Sequence, residues 1–183
     1  GIKVVAPATP EDARGLMKAA IRDPDPVIYL EQKFLYRRLK AVLSDDGGVV
    51  PLGKARLVRA GTHATIVSYA NGVQMAEAAA EAVAKDGYDV EVIDLRSLMP
   101  WDWQAVLASV QKTGRLLVVE EAARTLGFGA QVASTMADLA FEHLDAPIRR
   151  VAAPDAPVPA ALPLEAAYRP NADKVERTLR EML

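Results

Sequence analysis

Residues 65–95 read TIVSYANGVQMAEAAAEAVAKDGYDVEVIDL, and this stretch decides the fold. It opens on a short apolar run at 65–69 that predicts a strand. An alanine-rich, amphipathic helix follows over 72–85, closed by Gly87, and a second apolar run at 90–95 predicts another strand. Strands that alternate with helices in this way imply a parallel sheet covered by helices. The pattern extends in both directions. Upstream, 54–59 reads as a strand. Downstream, Asp102 is placed to cap a helix from about Trp103 to Lys112 that Gly114 closes, and 116–120 is a strand. Four consecutive apolar residues at 116–119 fit a strand buried on both faces. The turn Gly127-Phe128-Gly129 leads into a helix running to about His143, and 148–151 is the last strand. The segment 153–163 holds four prolines and is expected to be extended, before Asn171 caps a final helix ending at Leu183. The fold class is α/β, a mostly parallel sheet flanked by helices.

The first thirty-odd residues form a smaller unit. Residues 3–6 are a strand, and Thr9, Pro10, Glu11 and Asp12 give the cap, first-turn proline and early acids of a helix running to about Ile21. Asp23-Pro24-Asp25-Pro26 stops that helix, because proline disfavours helical geometry in the residue before it. A short strand over 27–30 follows. A strand, helix, strand unit over 1–31 cannot bury both faces of its own sheet, so it reads as the edge of a larger domain. Residues 32–53 lack periodicity, are basic at Arg37, Arg38 and Lys40, and carry the turn formers Ser44 to Gly48. They read as a linker to a domain spanning 54–183.

Composition narrows the function classes. A chain of 183 residues that is 51% hydrophobic can bury a core, and a net charge of -2 offers no footprint for nucleic acid or an anionic membrane. There is no cysteine, so disulfides, thiolate metal sites and a cysteine nucleophile are excluded. Two histidines do not make a multi-histidine metal site. No apolar run approaches the ~20 residues of a membrane helix, and the amino terminus shows no charged-then-apolar signal pattern. A cytoplasmic or equivalent soluble location is the expectation.

Few residues offer chemistry. Gly127-Phe128-Gly129 follows a strand as a phosphate-cradling turn would, but it lacks the third glycine of the dinucleotide fingerprint and the lysine of a P-loop; the other reading is a tight strand-to-helix connection. Glu120 and Glu121 stand at a strand's carboxyl end, the edge at which α/β sheets bind ligands, and are candidates to line a site. Neighbours on a strand point to opposite faces, which argues against a shared-proton dyad. His63 reads as a turn residue, and His143 as a favourable charge near a helix end. Trp101 and Trp103 read as anchors of a helix entry. No serine, histidine and acid order and no metal signature emerges.

Several strings, taken in order, resemble one family. They are Val4-Val5-Ala6-Pro7 with Glu11-Asp12-Ala13, Asp23-Pro24-Asp25-Pro26-Val27-Ile28, Leu35-Tyr36-Arg37, and Pro51-Leu52-Gly53-Lys54-Ala55. Val90 to Leu98, Gly127-Phe128-Gly129-Ala130, Leu144-Asp145-Ala146-Pro147 and Pro154-Asp155-Ala156-Pro157-Val158-Pro159 continue the series. Together they resemble the beta subunit of the thiamine-dependent decarboxylating component of pyruvate, branched-chain 2-oxo acid and acetoin dehydrogenase complexes.

The resemblance implies a heterotetramer of two alpha and two beta subunits. Thiamine diphosphate, with magnesium, sits between an alpha subunit and the pyrimidine-binding domain of a beta subunit, and a transketolase-like carboxy-terminal domain follows. Residues 1–31 match the end of the pyrimidine-binding domain. The family's activating glutamate lies upstream of Gly1, and the diphosphate-and-magnesium motif belongs to the alpha subunit. No catalytic or cofactor-binding residue therefore carries over, and the chain alone is expected to be inactive. Ala20, Asp23 and Asp25 match a half-site for potassium. The carboxy terminus, with Glu176, Glu181 and Leu183, matches the surface that docks the lipoyl acyltransferase component.

The implied activity is oxidative decarboxylation of a 2-oxo acid, or cleavage of acetoin, with acyl transfer to a lipoyl group. Branched-chain members often have histidine where this chain has Glu120, and pyruvate-type members tend to be acidic there. Tyr36 with Glu31-Gln32-Lys33 is closer to acetoin and branched-chain relatives, so the substrate stays open. A transketolase or deoxyxylulose phosphate synthase domain is the alternative among enzymes. A non-catalytic assembly module is the alternative outside them.

Overall fold

The computed structural model describes residues 1–43 and 48–183; of the turn formers expected in the linker, Ser44 to Gly47 lie outside the described residues. The expected strand, helix, strand core is present. β4 (Ala64–Ser68), α2 (Gly72–Ala84) and β5 (Val90–Asp94) form a parallel unit in which Ile66 pairs with Val92. The Asp102 carboxylate accepts the Ala105 N–H and starts α3 (Trp103–Thr113), which ends on Gly114 with a left-handed φ of 68°. β7 (Leu116–Ala123) then pairs with the opposite edge of β4, and β8 (Arg149–Ala153) pairs with β7, both in parallel. β3 (Arg56–Arg59) closes the sheet beside β5 but runs antiparallel, giving the order β3-β5-β4-β7-β8.

Side chains alternate across this sheet with the period of two that strands impose. Ile66, Val92, Leu117 and Val119 face α2 and α6 (Ala172–Arg180), packing with Ala76, Ala80, Val83, Val175 and Leu179. Val67, Ile93, Leu116 and Val118 face the other way, onto Val106 and Val110 of α3 and onto Val132 and Met136 of α4 (Phe128–Leu139). Each fully buried branched side chain contributes roughly 1.5–3 kcal/mol of transfer free energy, so burial on both faces is the main stabilisation of this sheet.

Residues 1–31 form β1 (Lys3–Val5), α1 (Pro10–Arg22) and β2 (Val27–Tyr29), with Thr9 capping α1 as expected. β1 and β2 are parallel. The far edge of β1 is not bare: β6 (Ser97–Met99), unforeseen in the sequence, leaves the end of β5 and pairs with it antiparallel. The turn depends on Arg96 at a φ of 58°, a left-handed conformation that no periodicity signals. The small sheet thus has the order β2-β1-β6, and α1 and β2 still expose Ile21 and Ile28.

Three further expectations need correction. The helix expected to reach His143 stops at Leu139, with a separate 3-10 turn over Phe141–His143. The proline-rich segment is irregular only to Ala161. α5 (Leu162–Tyr168) begins inside the stretch expected to be extended, because Pro163 lies in its first turn, where a missing N–H costs nothing. The final helix ends at Arg180.

Candidate functional site

β4 sends its chain to α2 on one face of the sheet, while the adjacent β7 sends its chain to α4 on the other. The carboxyl ends of these two strands therefore part, at the type of topological switch point where α/β sheets hold ligands. Glu120 and Glu121 stand there on β7, opposite Tyr69, Ala70 and Asn71 from the end of β4.

The two glutamates take separate partners. Glu120 is fully buried. One oxygen lies 2.6 Å from Nη2 of Arg150 on β8, and the other accepts the Gly129 N–H at 2.8 Å and the Tyr69 hydroxyl at 3.4 Å. Its carboxylate occupies the first turn of α4, where exposed N–H groups and the helix dipole favour an anion. A β-carbon on Gly127 would lie 2.9 Å from both carboxylate oxygens, and one on Gly129 would lie 2.8 Å from the carboxylate carbon. The internal anion thus explains Gly129, and together with the still nearer Ala123 carbonyl it explains Gly127. Of the two readings of Gly127-Phe128-Gly129, the structure selects the tight connection over the phosphate cradle, since Glu120 fills the anion position.

Burial first, then the charge of Glu120 and the hydrogen bond to it, push the Tyr69 hydroxyl far above its ordinary range, so it acts as a fixed donor. Phe128 meets Tyr69 and Trp101 edge-on at 6.2 and 6.1 Å, so of the two tryptophans expected to anchor the entry to α3, Trp101 packs into this corner while Trp103 is exposed.

Glu121 is half-buried and accepts hydrogen bonds from Asn71, at 3.1 Å, and from Gln32 of the linker. Gln32 brings the end of the N-terminal unit across the crevice and leaves a cavity of about 200 Å3 walled by Ala6, Leu30, Tyr69 and Ala122. A second cavity of about 270 Å3 lies beside it, between Pro7, Thr9 and Ala13 on one side and Leu35, Tyr36 and Leu39 on the other. Tyr36 is hydrogen-bonded to Glu31, which raises the pKa of its phenol. The linker reaches further too: the Phe34 ring meets the guanidinium groups of Arg38 and Arg169, whose central carbons lie 3.8 and 4.6 Å from its centre.

The other candidate residues lie apart. Lys3 places its ammonium 2.7 Å from Asp23 and 3.0 Å from Asp25, and the Ala20 carbonyl accepts the Asp23 N–H at 3.3 Å. The lysine hydrogen bond holds the Asp23 carboxyl below its usual range. At the carboxy terminus, Glu176 pairs with Arg180 at 2.9 Å, and Arg180 also pairs with Asp86 at 2.7 Å. Glu181 is exposed, while Leu183 packs against the α2 and α6 core. His63 accepts the Asp89 N–H through Nδ1, a turn role as expected. Among the described residues no cluster of acids and histidines is arranged to hold a metal ion. Sequence reasoning missed Gln32, Tyr69, Asn71 and Arg150 in the crevice, together with a buried group of Asp12, Asp94, Arg56 and Arg96 between α1 and the β3–β5 edge.

Residues 53–175 match the family "Transketolase, C-terminal domain". The chain belongs to that family. Among relatives of this transketolase C-terminal domain, the "Pyruvate dehydrogenase E1 component subunit beta-2, mitochondrial" of Oryza sativa subsp. japonica is 43% identical, over 98% of this chain and 49% of that protein. The "Pyruvate dehydrogenase E1 component subunit beta" of Rhizobium meliloti is 47% identical, over 96% and 38%. The "2-oxoisovalerate dehydrogenase subunit beta" of Bacillus subtilis is 42% identical, over 100% and 56%. The chain spans about half the length of the curated relatives it matches. A solved structure described as "Split gene transketolase, inactive beta4 tetramer" superposes on all of this chain and 58% of its own, with a TM-score of 0.81 at 25% identity.

Proposed function

We propose that the chain is part of the beta subunit of a thiamine diphosphate-dependent 2-oxo acid dehydrogenase, and that this portion assembles the subunits and docks the acyltransferase. The observation that carries this reading is identity above 40%, over nearly the whole chain, to beta subunits from both the pyruvate and the 2-oxoisovalerate enzymes. In this reading 1–31 closes the pyrimidine-binding domain, 32–53 links, and 54–183 is the transketolase C-terminal-like domain. The complete subunit joins an alpha subunit and a second beta subunit in a soluble compartment.

Thiamine diphosphate supplies the carbanion chemistry of such an enzyme. The residues of this chain do not fit its diphosphate, because Glu120 already fills the glycine-flanked start of α4. What the chain contributes is position. Glu121, Gln32 and Asn71 fasten the linker across the crevice, and Asp12 with Arg96 fastens α1 to the larger sheet at 2.7 Å. Potassium near Ala20 would rely on carbonyl oxygens, since Lys3 already neutralises Asp23 and Asp25.

The carboxy-terminal acids differ in availability. Glu176 is engaged by Arg180, whereas Glu181 is free to meet a basic partner surface. Glu181→Lys in the complete heterotetramer should weaken binding of the lipoyl acyltransferase while leaving decarboxylation with an artificial electron acceptor intact. Unchanged docking would remove Glu181 from that surface. The reading as a whole is tested by assaying the complete heterotetramer with pyruvate, 2-oxoisovalerate and acetoin; turnover of none of the three overturns it.

A further inference from the structure

Between α1 and the β3–β5 edge, two buried aspartates meet two partly buried arginines, equal in number but uneven in their contacts. Asp12 comes from the N-terminal unit, and Asp94, Arg56 and Arg96 come from the larger domain. Both aspartates are inaccessible. Arg96 is well paired: its Nη2 lies 2.7 Å from Asp12, and its backbone N–H donates to Asp94 at 3.0 Å. Thr9 donates its hydroxyl to the other Asp12 oxygen at 2.8 Å.

Arg56 is stretched between acids. Its Nη2 lies 3.3 Å from Asp94 and its Nε 3.6 Å from Asp12, both longer than the 2.7 Å contact between Arg96 and Asp12. Glu77 on α2 also feels the Arg56 charge, and Glu81 stands near Glu77 on the same helix; burial first, with Glu81 opposing Arg56, raises the pKa of Glu77. The groups facing Asp94 are thus Asp12 from α1, Arg56 from β3 and Arg96 from the turn after β5, with Glu77 on α2 interacting with Arg56 and Glu81 with Glu77.

We propose that this cluster is a proton-operated clamp: protonation of Asp94 releases Arg56 to close on Asp12 and tightens the hold of the N-terminal unit on the parallel-sheet domain. The inference stands on this geometry and is independent of the proposed function. Mild acid should therefore strengthen the junction, the reverse of what a simple ion pair does. Burial, followed by the nearby Asp12, raises the pKa of Asp94 from 3.8 to about 6. Opening the clamp takes the Asp12 charge away and uncovers Asp94, so Asp94 titrates lower in the open form, toward its ordinary value. The closed form then binds more protons over the interval between, and its advantage is complete below about pH 4 and lost as pH rises through about 6.

The junction can be read at one amide. Ala6 N–H donates to Arg96 O at 2.8 Å across the junction, while Val67 in β4 lies in the core of the larger sheet. Hydrogen exchange on the full chain, corrected for intrinsic rates, should show protection of Ala6 about tenfold greater at pH 5 than at pH 7, relative to Val67. Asp94→Asn should abolish that difference and leave Ala6 as protected at pH 7 as the wild type is at pH 5. Asp12→Asn, which removes the N-terminal half of the clamp, should lower Ala6 protection at both pH values and leave Val67 unchanged. Equal wild-type protection at pH 5 and pH 7 would overturn the proposal, even if neither variant folds. A tenfold difference that persists in Asp94→Asn would overturn it equally.

Discussion

Replacing Glu120 by glutamine is the most incisive single perturbation of the crevice. The substitution keeps the shape and removes the charge. Glu120 is fully buried and only 14% of the Arg150 side chain is exposed, so the pair is largely desolvated. One amide NH2 must then face either the Arg150 guanidinium or the Gly129 N–H, donor against donor, where the carboxylate now accepts at 2.6 and 2.8 Å. Removing one member of a buried pair typically costs about 3–5 kcal/mol, because the charge left behind stays desolvated. For a chain of this size each kcal/mol lowers the melting temperature by about 2–4 °C, so Glu120→Gln should melt roughly 6–20 °C lower by calorimetry. Glu120→Met with Arg150→Met, which removes both charges, should recover most of the loss of Glu120→Met alone. A Glu120→Gln protein melting within about 2 °C of wild type, less than 1 kcal/mol away, would refute the assignment of Glu120 as the internal anion of α4.

Three further perturbations follow from the same contacts. Gly129→Ala gains up to about 1 kcal/mol of helix propensity, yet its β-carbon would lie 2.8 Å from the Glu120 carboxylate carbon and 3.0 Å from Val118 Cγ1. Because Arg150 pins that carboxylate, the net change should be a loss of about 1–3 kcal/mol in a urea titration. Deleting residues 180–183 removes buried Met182 and partly buried Leu183 from the α2 and α6 core and should cost about 2–5 kcal/mol in the same titration. A point change at Glu181 is therefore the cleaner probe of docking. If the complete subunit holds potassium at Ala20, its melting temperature should rise in potassium over sodium, and Asp23→Asn should leave that rise intact, since carbonyl oxygens and not the Lys3-bound carboxylates would carry the ion.

The sequence by itself determined whatever depends on nearby residues. The apolar alternation over 65–95 was sufficient for β4, α2 and β5, and the caps at Thr9, Asp102 and Asn171 each accept the N–H three residues on, as their side-chain chemistry requires. Gly114 closes α3 because only a residue tolerant of positive φ turns the chain there without strain. The pairing of Glu120 with Arg150, and of Asp12 with Arg96, was decided only by the tertiary structure. On the sequence Glu120 is marked only by its place at a strand end and the other three read as ordinary charges, and nothing in their spacing announces that strand order will bring β8 beside β7, or α1 onto the end of β5. The strand over 54–59 was legible, but its antiparallel direction was not, because direction is set by the partner backbone that hydrogen-bonds to it. The three-residue β6 was hidden altogether: three residues are too few to show a period, and its strand identity comes from β1 beside it.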